Sequence, residues 1–187
     1  MNSKSVSLGI VVLINILFIG SAFIFLGKIP ALIFSSASIG GFLLWIFTTF
    51  RTPISTRKII VPYLFTVMLF IIHVYEEYIT DFEVAMTEIT GFHMLEKNFV
   101  TIAAFAAPIL WVTGAILIIK ETRVGHYLLC FFFVAMTISE LSHFVFPFIH
   151  DGTFHYVSGM YTAIFPLIPA SYGLYIMMES VKKNKTP

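Results

Sequence analysis

The chain has 187 residues, 58% of them hydrophobic and only 11% charged, with 21 phenylalanines. That balance excludes a water-soluble globular domain, and a formal net charge of +1 gives no general attraction for nucleic acid. The one cysteine, Cys130, excludes an intramolecular disulfide and a cysteine-built zinc knuckle.

Six apolar windows are each long enough for a hydrocarbon layer of roughly 30 Å, which takes about 20 helical residues. They run from Val6 to Leu26, Ala31 to Phe50, Ile59 to Tyr78, Asn98 to Ile119, Val124 to Phe148 and Val157 to Met178. The first is too long for the apolar core of a signal peptide, and no small-x-small site comes after it, so it reads as a span. Gly27, Lys28 and Pro30, then Arg51, Thr52 and Pro53, mark tight turns between neighbouring spans. The sequence therefore predicts an all-α polytopic membrane bundle of about six transmembrane helices, a single domain covering residues 1–187.

The charges set the expected orientation. Lys4, Arg51, Arg57, Lys58, Lys120, Arg123, Lys182, Lys183 and Lys185 fall on one side, and only Lys28 and Lys97 on the other. By the positive-inside rule both termini are expected in the cytoplasm of a multi-pass cell-membrane protein. Asp81, Glu83, Glu88, Glu96 and Asp151 then form an acidic rim on the far side, together with the longest break, from Ile79 to Lys97.

An ionisable side chain inside a span costs about 2.5 kcal/mol or more near the bilayer centre and usually marks function. Here such residues are few. The third span ends His73-Val74-Tyr75-Glu76-Glu77-Tyr78, and at about 100° per residue Glu76 lies about 60° to one side of His73 and Glu77 about 40° to the other. One imidazole and two carboxylates thus share an arc. The fifth span carries Glu140 and His143, three residues apart, with His150 farther along beyond Pro147. Both spans run outward, so the two sets sit at similar depth and are expected to meet. His93 and Glu96 precede the fourth span, Asn98 opens it, and His155 and Tyr156 lead into the sixth.

Imidazole and carboxylate are the usual ligands of zinc, iron or manganese, although the His-Glu-x-x-His pattern is absent. The bland readings are an interfacial helix end with snorkelling carboxylates for His73, Glu76 and Glu77, and a buried packing hydrogen bond for Glu140 and His143. His150, His155 and His93 read as solvated loop residues, and His126 as an interfacial one. Phe131, Phe132 and Phe133 read as lipid-facing or core.

The segment from His73 to Glu77 resembles the signature of the HXXEE family of mostly bacterial integral membrane proteins of unassigned activity. His143 is similar to that family's second histidine, and Tyr156-Val157-Ser158-Gly159 to its Tyr-x-Pro-Gly element, with Ser158 where proline is expected. Asn98 looks like the family's polar residue at the start of the following span, and Ser139 stands where an asparagine is often found. The resemblance covers roughly residues 62–175. It implies a compact membrane domain with an enzymatic His and Glu set, and leaves substrate and reaction open. Loss of the proline predicts a looser turn before Gly159, which keeps its special backbone geometry.

Together these residues point to a metal-dependent, hydrolase-like membrane enzyme acting on a small or lipid-like substrate. His73, Glu77 and His143 are the expected ligands of a divalent ion, zinc or similar, and Glu76 the expected general base, with Glu76 and Glu77 interchangeable at this stage. Glu140, Asn98, His155, Tyr156 and Gly159 are secondary candidates. The alternatives are a metal-free isomerase using a carboxylate of raised pKa, a proton-relay transporter, or a structural membrane protein. The other half of the bundle offers little beyond His126, Thr137 and Ser139, which argues against a path through the membrane.

Overall fold

The computed structural model describes residues 3–150 and 152–183. These form an all-α bundle, with no strand among the described residues. The helices are α1 (Lys4–Phe25), α2 (Lys28–Phe47), α3 (Thr56–Ile79), α4 (Phe82–Thr90), α5 (Glu96–Ile119), α6 (Arg123–His143), α7 (Phe146–His150) and α8 (Ile164–Lys183). Among the described residues five helices, α1, α2, α3, α5 and α6, are long and apolar enough to cross a membrane. This is a membrane protein. The sixth expected span corresponds to α8, 20 residues long, which carries Glu179, Lys182 and Lys183 in its last turns and is not among those five.

The turns arise from local chemistry. Gly27, at φ +76°, lets α1 stop and α2 begin, with Pro30 in the first turn of α2, where its missing N–H costs nothing. In α5, Pro108 removes a donor, and just ahead of it the N–H of Ala107 bonds the carbonyl of Ile102, closing a π-helical stretch over Val100–Ala106. The Thr122 hydroxyl caps α6 by accepting the N–H of Gly125 at 3.0 Å.

α6 is the central helix, packed against α1, α2, α5 and α8, while α3 lies against α5 and α8. Phe131, Phe132 and Phe133 are all buried, so of their two readings the core one holds. Their rings meet Phe18, Tyr63, Trp111 and Tyr127 at centroid distances of 4.5–6.1 Å. Gly41 lets α2 close onto the backbone of α6, since a Cβ there would lie 2.5 Å from the Cα of Phe131. Outward faces such as Leu13, Ile16, Leu17 and Ile24 of α1 are left for lipid.

Two differences from the sequence reading shape the site. α6 stops at His143, not Phe148, because the chain turns at Phe144 and Val145 and restarts as α7, with Pro147 in its first turn. Residues expected to open the last span, from Val157, remain non-helical as far as Ala163. This strap, residues 152–163, crosses the C-terminal ends of α3 and α6. The side chain of His150, beyond Pro147, lies outside the described residues.

Candidate metal centre

The strap, α3 and α6 bring four buried side chains together. Nε2 of His73 is 3.0 Å from Oε2 of Glu140 and 3.5 Å from Oε1 of Glu77, and Nε2 of His143 is 3.5 Å from that same Glu77 oxygen. The two imidazoles stand edge to face, 4.8 Å between centroids. One ligand atom each from His73, Glu77 and His143 lies within 4.8 Å of the others. All four residues are at most 6% exposed. The expected meeting of the two helices at one depth is thus what the structure shows, and Glu140 belongs with it. The Oε1 of Glu140 accepts from Ser139 at 3.1 Å, which leaves its Oε2 to face His73.

The helix geometry explains the grouping. His73 and Glu77 are four apart on α3, Glu140 and His143 three apart on α6, so each pair shares a face. Both pairs occupy the last turns of their helices, where unpaired carbonyls concentrate partial negative charge. Two carboxylates, two imidazoles and two helix C-termini therefore converge in a space sealed from water. Such a donor set favours a cation.

Glu76 faces elsewhere. Its Oε1 accepts from the Tyr156 hydroxyl at 2.7 Å and the Tyr161 N–H at 3.3 Å. Its Oε2 accepts from the Thr162 N–H at 2.7 Å and from the Thr162 hydroxyl. A carboxylate with four donors is a clasp for the strap. The interchangeability left open by the sequence is resolved in position: Glu77 points into the cluster and Glu76 into the strap.

The rest of the strap is fitted to the same end. Nδ1 of His143 donates to the Ser158 carbonyl at 3.0 Å, which turns its Nε2 toward Glu77. Nδ1 of His73 lies 3.1 Å from the Thr162 hydroxyl. Gly159, at φ +83°, sits over the rings, and a Cβ there would be 2.7 Å from Cε1 of His143 and 2.9 Å from both Cγ of Glu77 and Cε1 of His73. Glycine is required twice over, for its backbone and for its lack of a side chain. The expected looseness at Ser158 is not seen, because that serine is buried, with its hydroxyl 2.6 Å from Thr80 and 3.3 Å from the Glu77 carbonyl. Side-chain hydrogen bonds tie the turn where proline would have stiffened it. Tyr156 stacks on Tyr161, and burial pushes its hydroxyl above the usual range, keeping it a donor to Glu76.

Other candidates lie apart. Asn98 is half-buried at the start of α5, with no side-chain link to the cluster among the described residues. His155 turns back on its own loop, Nδ1 3.1 Å from the Thr153 carbonyl. His93 is exposed in the loop before α5, in line with its solvated reading, whereas His126, expected at an interface, is fully buried at the opposite end of the bundle. Phe82 and Phe146 close over His143 at centroid distances of 5.7 Å. Sequence reasoning missed Thr162, whose only signal was its place three residues after Gly159 in a segment read as span.

A scan of protein-family models, a search of curated proteins and a search of solved structures each found no match to this chain.

Proposed function

We propose that the protein is a metal-dependent, hydrolase-like membrane enzyme in which His73, Glu77 and His143 bind a divalent ion, zinc or similar. The observation that carries this reading is the convergence of those three donors beside Glu140, buried where, among the described residues, no lysine or arginine pairs with the carboxylates. A divalent ion supplies two positive charges and suits a site of two imidazoles and a carboxylate. Bound there, it would act as a Lewis acid toward a carbonyl or phosphoryl group.

The chain's own residues then divide the work. His73 and His143 orient the site through the strap, Glu77 bridges the two rings, and Glu140, at 3.0 Å from His73, accepts the proton of an attacking water. The base role expected of Glu76 passes to Glu140, because the Glu76 oxygens are engaged by four donors. The likeness to the HXXEE signature supports an enzymatic reading of the same side chains. A small or lipid-like substrate fits the depth of the site, and the strap, with Phe154 and Tyr161 exposed, has to shift to admit it. The lysines and arginines at the turns between α2 and α3 and between α5 and α6 support a site away from the cytoplasm by the positive-inside rule.

The 3.0 Å contact between Glu140 and His73 favours one further reading, a metal-free isomerase in which that pair moves a proton within an apolar substrate. Metal analysis of detergent-purified protein, prepared without chelator and resupplied with zinc, separates the two. One ion per chain, lost in His73→Ala, is expected. Absence of stoichiometric metal after supplementation sinks the metal enzyme and leaves the isomerase.

A further inference from the structure

We propose that Thr162 is a positioning residue that holds a proton on Nδ1 of His73 and so fixes Nε2 as the nitrogen offered to Glu77, Glu140 and any ion. This deepens the metal-centre reading, on which only its effect on binding rests. The assignment comes from counting protons. Oε2 of Glu76 accepts the Thr162 N–H, and the Thr162 hydroxyl lies against that same oxygen. A carboxylate only accepts, so the single hydroxyl proton of Thr162 is committed to Glu76. Oγ1 then has only lone pairs left for the imidazole 3.1 Å away. Nδ1 of His73 must therefore be the donor. The result is a carboxylate-hydroxyl-imidazole chain, a version of the carboxylate-imidazole pairing that orients histidine ligands, with a hydroxyl inserted.

The arrangement gives Glu76 a purpose that its burial alone does not. Its four hydrogen bonds fasten the strap, and through Thr162 they also set which face of His73 is basic. His143 receives the same treatment from the Ser158 carbonyl, so one strap orients both rings.

Histidine-labelled nitrogen NMR in detergent tests this directly, with the His73 signal assigned by its loss in His73→Gln. The expected result is a protonated, pyrrole-type Nδ1 on His73 in the metal-free and the zinc-loaded protein, whatever Nε2 carries. In the metal-free protein Thr162→Val should move that proton to Nε2, where Glu140 and Glu77 accept it, and the variant should bind zinc about 10- to 100-fold more weakly, the range for such outer partners. Thr162→Ser keeps the hydroxyl and should restore both. An unprotonated Nδ1 in the wild type, or a Thr162→Val protein that keeps the Nδ1 proton and full zinc affinity, overturns the proposal. A wild-type protein that binds no zinc defeats the metal reading alone, and the Nδ1 signal then still decides the role of Thr162.

Discussion

Both ends of the bundle bury histidine, and the two burials are chemically opposite. At the α5–α6 end, His126 is fully buried with Nδ1 2.8 Å from the Thr122 carbonyl and Nε2 3.2 Å from the Ile54 carbonyl. Carbonyl oxygens only accept and a neutral imidazole carries one N–H, so the ring donates to one of the two, and it lies between the loop before α3 and the first turn of α6. At the α3–α6 end, His73 and His143 give Nδ1 to the strap and turn Nε2 toward carboxylates that also only accept. The first arrangement sets a ring between neutral carbonyl dipoles, whereas the second sets two rings against anionic carboxylates and so calls for a positive charge. A buried histidine is thus a strut or a ligand according to what faces its second nitrogen.

The largest expected effect breaks this contrast at the ion. Glu77→Gln removes the carboxylate that both Nε2 atoms approach, and should abolish bound metal, because a site of three protein ligands tolerates loss of one poorly. Glu76→Gln and His126→Ala should each retain one metal per chain, measured by elemental analysis of folded, size-selected protein. If Glu76→Gln loses the ion while Glu77→Gln keeps it, the ligand assignment is reversed. Loss in His126→Ala with the fold intact would erase the distinction between the two ends.

A smaller effect is expected over the rings. Gly159→Ala must accept both a left-handed backbone, costing about 1–2 kcal/mol, and a methyl group within 2.9 Å of three cluster atoms. Zinc affinity should fall by roughly tenfold or more, since about 1.4 kcal/mol is a factor of ten. Unchanged affinity by titration would mean that the strap does not rest on the rings.

Much of this was legible in the sequence, and the failures have definite causes. Apolar length gave the bundle, and helical spacing placed His73 with Glu77 and Glu140 with His143. Pairing α3 with α6 follows from equal depth and complementary His and Glu content. Spacing was unable to separate Glu76 from Glu77, because both flank His73 on one arc and the choice is made by the strap. The strap from Val157 onward reads as helix because Val157, Met160 and Ala163 are apolar, yet they are buried under a turn organised by Gly159 and by hydrogen bonds to Glu76. Long-range side-chain bonds of this kind leave no periodic trace. His126 was misjudged for the same reason, since its partner Ile54 lies 72 residues away.

The smallest expected effect concerns that strut. His126→Phe keeps the ring volume and removes both ring nitrogens. The Thr122 carbonyl retains the His126 backbone N–H at 3.1 Å, so it keeps a partner. The Ile54 carbonyl loses the ring nitrogen that reaches it from α6, and a buried acceptor left unmatched costs about 1–3 kcal/mol. For a chain of this size that corresponds to a fall of several degrees in melting temperature in detergent, at about 2–4 °C per kcal/mol. Metal content should be unaffected, because the change is confined to the α5–α6 end. An unchanged melting temperature would show the contact to be ornamental, whereas a loss of metal at unchanged stability would show that the two ends communicate through α6.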